Sequence, residues 1–218
     1  MEKKSQPCTE MSCGKTEYEK VFSVGMETEA QKRTVLLHSC CGPCSTACIE
    51  RLLPDYKVTI FFYNPNITDR DEYERRRSAQ IKFLEEYNAK LSDEDKVNFI
   101  EGEYLPDDYY EVCAGYSNEP EGGKRCTECF KLRMERTAQV ALKTGNVLFG
   151  TTLTVSPHKN YMLISAIGSE LARVYGLEFL DVDFKKKAGF QRSIELSKEY
   201  ELYRQNYCGC EYSKWMDK

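Results

Sequence analysis

Apolar and polar positions alternate along this chain with two different periods. From residue 32 the run "KRTVLLHSC" is short, β-branched and leucine-rich, and reads as a strand. Gly42-Pro43 then turns the chain into an amphipathic segment, Cys44 to Leu53, with helical spacing. "YKVTIFFYNPNI" predicts a second strand bounded by Asn-Pro. "DRDEYERRRSAQIKFLEEYNAKL" predicts a long charged helix with an apolar face of Tyr73, Ile81, Leu84 and Tyr87. "KVNFI" is the third strand, and "EYLPDDYYEVCAGYSNEPEGGKR" reads as an irregular connection of the length usually kept for function. "CTECFKLRMERTAQVALKTG" is a helix ended by Gly145, with Cys126 and Cys129 in its first turn. "NVLFGTTL" supplies a fourth strand, "SPHKNYMLISAIGSELARVYG" a helix with Pro157 early in it, and "LEFLDVDF" a fifth strand. "AGFQRSIELSKEYELYRQ" is helix-forming and precedes Cys208-Gly209-Cys210 and a short tail.

Strands alternating with helices predict an α/β fold, a mostly parallel Rossmann-like sheet flanked by helices. Ligands in such sheets gather beyond the carboxyl ends of the strands, where Cys40 and Cys41 fall. Residues 1–30 are polar and without periodicity, and read as a flexible N-terminal extension carrying Cys8 and Cys13. Residues 31–218 read as a single α/β catalytic domain without repeats or low-complexity segments.

Charge narrows the function classes. With 31 basic and 35 acidic residues the net charge is -4, which excludes a globally basic nucleic-acid binder and leaves room for a local basic face. No apolar run approaches the roughly 18 residues of a membrane span, and the opening segment lacks the apolar core of a secretory signal. The expectation is a cytoplasmic protein without a membrane partner. In that compartment eleven cysteines do not form a disulfide framework, so metal binding or redox chemistry is the better reading.

The cysteines fall into clusters. Cys41-Gly-Pro-Cys44 spells a thioredoxin active site. That reading leaves Cys40, the pair Cys126 and Cys129, and Cys208-Gly-Cys210 unexplained, and the tryptophan that commonly precedes the motif is missing. Two separated thiol pairs, Cys40-Cys41 and Cys126-x-x-Cys129, can hold zinc or an iron-sulfur group; because adjacent side chains are expected to diverge, the vicinal pair favours the wider cluster. Cys48 and Cys113 belong to no spaced pair and read as small core residues. Cys44 stands between the two readings, facing the site or the core. Cys208 and Cys210, one glycine apart, can close a strained, reducible disulfide, supply two metal ligands or form a turn. A thioredoxin-like thiol-disulfide oxidoreductase and a zinc-stabilised RNA-binding module remain as rival readings.

The ordered set "HSCCGPCS", "FFYNPNI" with "EYERR", "CTECFKLRMERTA", "TTLTVSPHKN" and "DFKKKAGFQRSIELSKEYELYRQNYCGC", spanning residues 34–213, resembles the epoxyqueuosine reductases of the QueH type. The resemblance implies an α/β fold related to the adenine-nucleotide hydrolase-like superfamily and a 4Fe-4S cluster. The implied activity is reduction of epoxyqueuosine to queuosine at the wobble position of tRNA. It also implies Cys40, Cys41, Cys126 and Cys129 as cluster ligands and Cys208 with Cys210 as a redox-active pair. The extension with Cys8 and Cys13 departs from the family pattern.

Removing an epoxide oxygen takes two electrons, protons and stabilisation of the oxygen's developing charge. The expected partners are therefore tRNA carrying epoxyqueuosine and an electron donor that the sequence does not identify. Cys44 is a candidate ligand for an additional iron or other metal ion. Lys124-Arg125, Lys185, Lys186, Arg192 and Arg204 are candidate phosphate contacts, whereas Arg75–Arg77 taken alone read as a solvated helix face. Tyr63, Phe190 or Tyr207 could stack a splayed base. His38 and His158 read as proton donors or as packed side chains. Asp183 keeps three readings: metal ligand, proton donor and helix cap.

Overall fold

β1 (Arg33–Ser39) is buried from Val35 onward, so its apolar run must be covered on both faces. The computed structural model describes residues 32–214; the expected extension with Cys8 and Cys13, and residues 215–218, lie outside them. β1 pairs in parallel with β2 (Tyr56–Phe62) on one side, Val35 opposite Val58 and Leu37 opposite Ile60. On its other side it pairs with β4 (Leu148–Thr151), Leu36 opposite Phe149. β3 (Asn98–Glu101) and β5 (Glu178–Phe179) complete an all-parallel sheet of order β3-β2-β1-β4-β5. The chain winds outward to β3 and then crosses back to β4, so the order reverses between β1 and β4, the place where open α/β sheets form a crevice.

Val35 and Leu37 pack toward one helical layer, made of α1 (Gly42–Leu52), α2 (Arg70–Asn88) and α6 (Gly189–Glu199). Leu36 and Phe149 pack toward the other, where α4 (Lys124–Lys143) lies against α5 (Tyr161–Tyr175) and α3 (Pro106–Cys113). The alternation is the two-residue period of a strand buried on both sides.

Several boundaries differ from expectation for local reasons. α1 begins at Gly42, because Pro43 suits a first helical turn. The segment read as an irregular connection contains α3, started by Pro106 with Asp107 and Asp108 in its first turn. β4 stops at Thr151, whose hydroxyl accepts the Leu153 amide at 3.2 Å and opens a 3-10 turn, Thr152–Val155. Pro157 precedes α5 rather than entering it, since Asn160 caps the helix by accepting the Leu163 amide. β5 keeps two residues, Glu178 and Phe179, paired with Leu148 and Phe149 of the four-residue β4. α6 ends at Glu199, six residues early. Glu201 adopts a left-handed φ of 49°, and the Leu202 amide donates to the Ser197 carbonyl at 2.8 Å, a helix stop usually built on glycine. The chain from Leu202 is thereby turned back toward the carboxyl end of β1. α7 (Glu211–Lys214) closes the described chain.

Candidate functional site

β1 delivers Cys40 and Cys41 directly to the crevice. The Ser39 hydroxyl donates to Gln80 Oε1 at 2.7 Å, and Asn64 Nδ2 donates to the Ser39 carbonyl at 2.9 Å, which fixes the strand end. Cys41 is the extended cap residue of α1, and the first turn of α1 carries Cys44 back toward the pair. The expected divergence of the vicinal side chains does not occur: the Cys40 and Cys41 sulfurs lie 3.8 Å apart, and with Cys44 all three lie within 4.8 Å of one another. The extended backbone at Cys41 and the following helical turn bring them together. Gln205, delivered by the reversal after α6, donates from Nε2 to Cys41 Sγ at 2.9 Å and to Cys44 Sγ at 3.9 Å.

The three thiols differ in acidity. Hydrogen bonds from Cys41 and Cys44 hold the Cys40 thiol well below its usual range, helped by the positive fields of Lys159 and Arg133. Burial, then the neighbouring Cys40, pushes Cys41 up to about 12, and the hydrogen bond to Cys40 keeps Cys44 protonated. Cys48 packs in the core from the inner face of α1, where burial raises its pKa.

The second set of thiols faces this group from α4. The Gly122 amide donates to Cys126 Sγ at 3.2 Å, and Cys126 packs against the apolar patch formed by Cys40, Cys41, Phe130 and Met134. Cys129 is buried, burial pushing its thiol up to about 12, and it packs with Tyr109, Cys113 and Cys210. One helical turn after Cys129 stands Arg133, 1% exposed, its Nη2 without a hydrogen-bond partner among the described residues. Burial opposes its charge, yet the surrounding Cys129, Cys208, Cys40 and Cys126 sulfurs outweigh this and raise its pKa. Thiols from both sides of the crevice therefore look onto one guanidinium.

A cavity of about 500 Å³ opens over this arrangement, bounded by Cys40, Cys44, Arg133, Lys159, Phe190 and Cys208, with Arg204, Tyr207 and Glu121 at its walls. The size is that of a small-molecule site. Arg204 lies 5.3 Å over the Phe190 ring and Arg76 5.2 Å over the Tyr207 ring, so both aromatics are held by cations. Cys208 and Cys210 have different neighbours: Cys208 lines the cavity, while Cys210 is buried beside Tyr109, Cys113 and Cys129 and donates toward Ser213 Oγ at 3.6 Å.

Other expected residues lie elsewhere. Tyr63 is 1% exposed, stacked on Phe61 and bonded to Asp108 at 2.9 Å, so it is a core residue and not a stacking platform. Arg76, read as part of a solvated face, is 1% exposed and ion-paired with Glu72 at 2.7 Å. Ile81 is only half-buried, and Phe83 takes its place on the inner face of α2. Arg125 is buried and donates to the carbonyls of Tyr116, Ser117 and Glu119, which removes it from the phosphate contacts. Arg192 forms a two-pronged pair with Glu50 at 2.7 and 2.9 Å. Lys185 donates to the Lys159 carbonyl at 3.0 Å, bracing the cavity wall, and Lys186 is exposed. Asp183 accepts the Lys185 amide at 3.2 Å, a turn-capping bond, and lies off the cavity. His38 bridges Thr151 Oγ1 and the Tyr63 carbonyl; burial pushes it down to about 3, so it is a neutral link between strands. His158 is exposed at the cavity rim.

Sequence reasoning missed Arg133, Lys159, Gln205 and the pair Glu72–Arg76. Only Arg133 carried a local signal, its i+4 spacing from Cys129.

A family model described as "Epoxyqueuosine reductase QueH" matches residues 35–216. A protein of that name from Streptococcus pyogenes is 43% identical over 190 residues, 87% of this chain and 74% of the relative. Another, from Staphylococcus epidermidis, is 39% identical over 214 residues, 96% of this chain and 89% of its own. A third, from Thermotoga maritima, is 39% identical over 183 residues, 83% and 90% of the two chains.

Proposed function

Because this chain belongs to the epoxyqueuosine reductase QueH family, we propose that the crevice between β1 and β4 is where it reduces its epoxide. The chain is an oxidoreductase that converts epoxyqueuosine to queuosine. The net change is loss of the epoxide oxygen as water: two electrons and two protons enter, both carbon–oxygen bonds break and an alkene remains. The substrate is read as the wobble nucleoside of tRNA, and the work as cytoplasmic, where tRNA resides and thiols stay reduced.

The observation that supports a thiophilic cofactor is the convergence of Cys40, Cys41 and Cys44 within 4.8 Å at the end of β1. An all-sulfur donor set, two members fully or nearly buried, suits iron better than a hard cation. In this reading Cys40, Cys41, Cys126 and Cys129 would hold a 4Fe-4S cluster, leaving Cys44 for an additional iron or other metal ion. Such a group supplies electrons singly together with Lewis-acidic iron.

The protein's own groups do the rest. Phe190 and Tyr207 receive the extruded base, Arg204 and Lys159 meet its phosphate and the departing oxygen, and the narrow cavity excludes bulk water. Cys208 faces the reacting centre, and Cys210 stands behind it as its dithiol partner, to be re-reduced by an electron donor of unassigned identity. The thioredoxin-like alternative requires a low-pKa attacking thiol at Cys41, and that thiol is the one pushed up to about 12.

Anaerobically purified protein should be brown, contain iron and acid-labile sulfide, and convert epoxyqueuosine in tRNA, read by nucleoside mass spectrometry. A colourless zinc protein without conversion would overturn the proposal.

A further inference from the structure

The buried pair Glu72–Arg76 has no role assigned above beyond the seat of Arg76 over the Tyr207 ring, and both side chains are 1% exposed. A charge pair removed from water is stable only when its remaining hydrogen-bonding groups are also satisfied. Here they are, and the partners lie far along the chain. Arg76 Nε donates to Glu72 Oε1 at 2.7 Å, Nη1 to the Cys208 carbonyl at 3.0 Å and Nη2 to the Tyr207 carbonyl at 3.1 Å. Glu72 Oε2 accepts from Arg75 at 2.9 Å and from the Tyr203 hydroxyl at 2.7 Å. The same helix end holds the segment again where the Thr68 amide donates to the Gly209 carbonyl at 3.3 Å and where Lys214 pairs with Asp69 at 2.7 Å.

Gly209 closes the arrangement from the other side. Its φ is 120°, a conformation L side chains rarely adopt, and a Cβ there would stand 2.9 Å from Ile67 Cγ1 and 3.2 Å from Arg76 Nη1. The guanidinium fork is thus pressed against the backbone between the two cysteines.

We propose that Arg76, fixed by Glu72 and Tyr203, is a positioning residue that sets the reach of the Cys208 thiol into the cavity beside Cys40 and Cys44. Two adjacent carbonyls and one carboxylate need three N–H groups in a planar fork, which lysine cannot offer. The clamp leaves the Cys208 thiol free while immobilising its backbone. That is the requirement for a thiol that must meet a fixed partner without wandering. The inference rests on the reading of Cys208 as a reaction-site thiol.

The test follows Arg76→Lys, Tyr203→Phe and Gly209→Ala in the full chain. Three readouts are compared: turnover of epoxyqueuosine-containing tRNA, KM for that tRNA, and the alkylation rate of Cys208 mapped by mass spectrometry. Cys48, buried in the core, serves as the folding control. With Cys48 still protected, Arg76→Lys and Gly209→Ala should lower kcat by roughly 10²-fold, with KM unchanged in Gly209→Ala and raised by a smaller factor in Arg76→Lys, because Arg76 also seats the Tyr207 ring. Cys208 labelling should rise by about an order of magnitude, with Tyr203→Phe intermediate. Wild-type kcat and wild-type labelling in Arg76→Lys would overturn the proposal, as would lost activity with unchanged Cys208 labelling. If Arg76→Lys exposes Cys48, the milder Tyr203→Phe decides by the same two readouts. A fully active Cys208→Ser protein would instead remove the reaction-site reading, while the labelling result would still report the clamp.

Discussion

Gln205 Nε2 donates to Cys41 Sγ across 2.9 Å, joining two residues 164 positions apart in sequence. The bond lies on the sulfur itself, so on the proposed reading of Cys41 as a ligand it would tune how strongly that thiol holds the metal and fix its direction. Gln205→Ala should release bound iron to a chelator roughly 10–100-fold faster, with little change in melting temperature. Unchanged release would leave the contact without a role at the metal.

The cysteines divide by their surroundings, and metal content should divide with them. Cys40→Ala, Cys41→Ala, Cys126→Ala and Cys129→Ala should each lose the bound iron of anaerobically purified protein. Cys48→Ala should retain it, since Cys48 packs in the core. Cys44→Ala should keep the iron-sulfur absorbance and lose turnover. Full iron content in Cys126→Ala or Cys129→Ala would remove α4 from the ligand set.

Gly42 tests the approach of α1 to α2. A Cβ at that position would meet the Ala79 carbonyl at 2.6 Å, backbone that cannot swing aside. Gly42→Ala should destabilise the fold by about 1–3 kcal/mol, the usual cost of overpacking. Thermal unfolding measures this, and because Gly42 follows Cys41 directly, iron retention should fall as well.

Charge at the cavity and charge on the surface should behave differently toward tRNA. Arg204 lines the cavity, stands over Phe190, and among the described residues makes only long hydrogen bonds, to the Ser197 hydroxyl at 3.3 Å and the Ser193 carbonyl at 3.5 Å. Arg204→Ala should weaken binding and reduce the slope of log K against log salt by about 1. Arg192 is already neutralised by Glu50, so Arg192→Ala should leave the slope unchanged. Binding titrations at several salt concentrations separate the two.

Much of the fold was legible because periodicity is local. The run at Val35–Leu37 announced a strand covered on both faces, and Gly42-Pro43 announced the turn that follows it. Errors gathered where a local rule was overridden. Arg76 looked exposed because three consecutive arginines on a charged helix ordinarily are; its burial depends on carbonyls 131 and 132 residues away. α6 looked longer because no glycine marks its end, and Glu201 takes the left-handed position instead. Asp183 and Tyr63 were suggested by residue type alone, and the contacts that occupy them lie outside any sequence window.

By itself the sequence determined the order of the strands and the longer helices, the parallel sheet and the delivery of Cys40 and Cys41 to a strand end. Each of these follows from spacing within one or two turns of chain. Tertiary structure decided that Arg133 faces the crevice beneath the thiols, and that Gln205 and Cys208 return to the same crevice. The return of Gln205 and Cys208 requires the chain to reverse after α6 and dock on α2. That docking is held by a buried charge and two backbone carbonyls, groups whose partners no local pattern encodes.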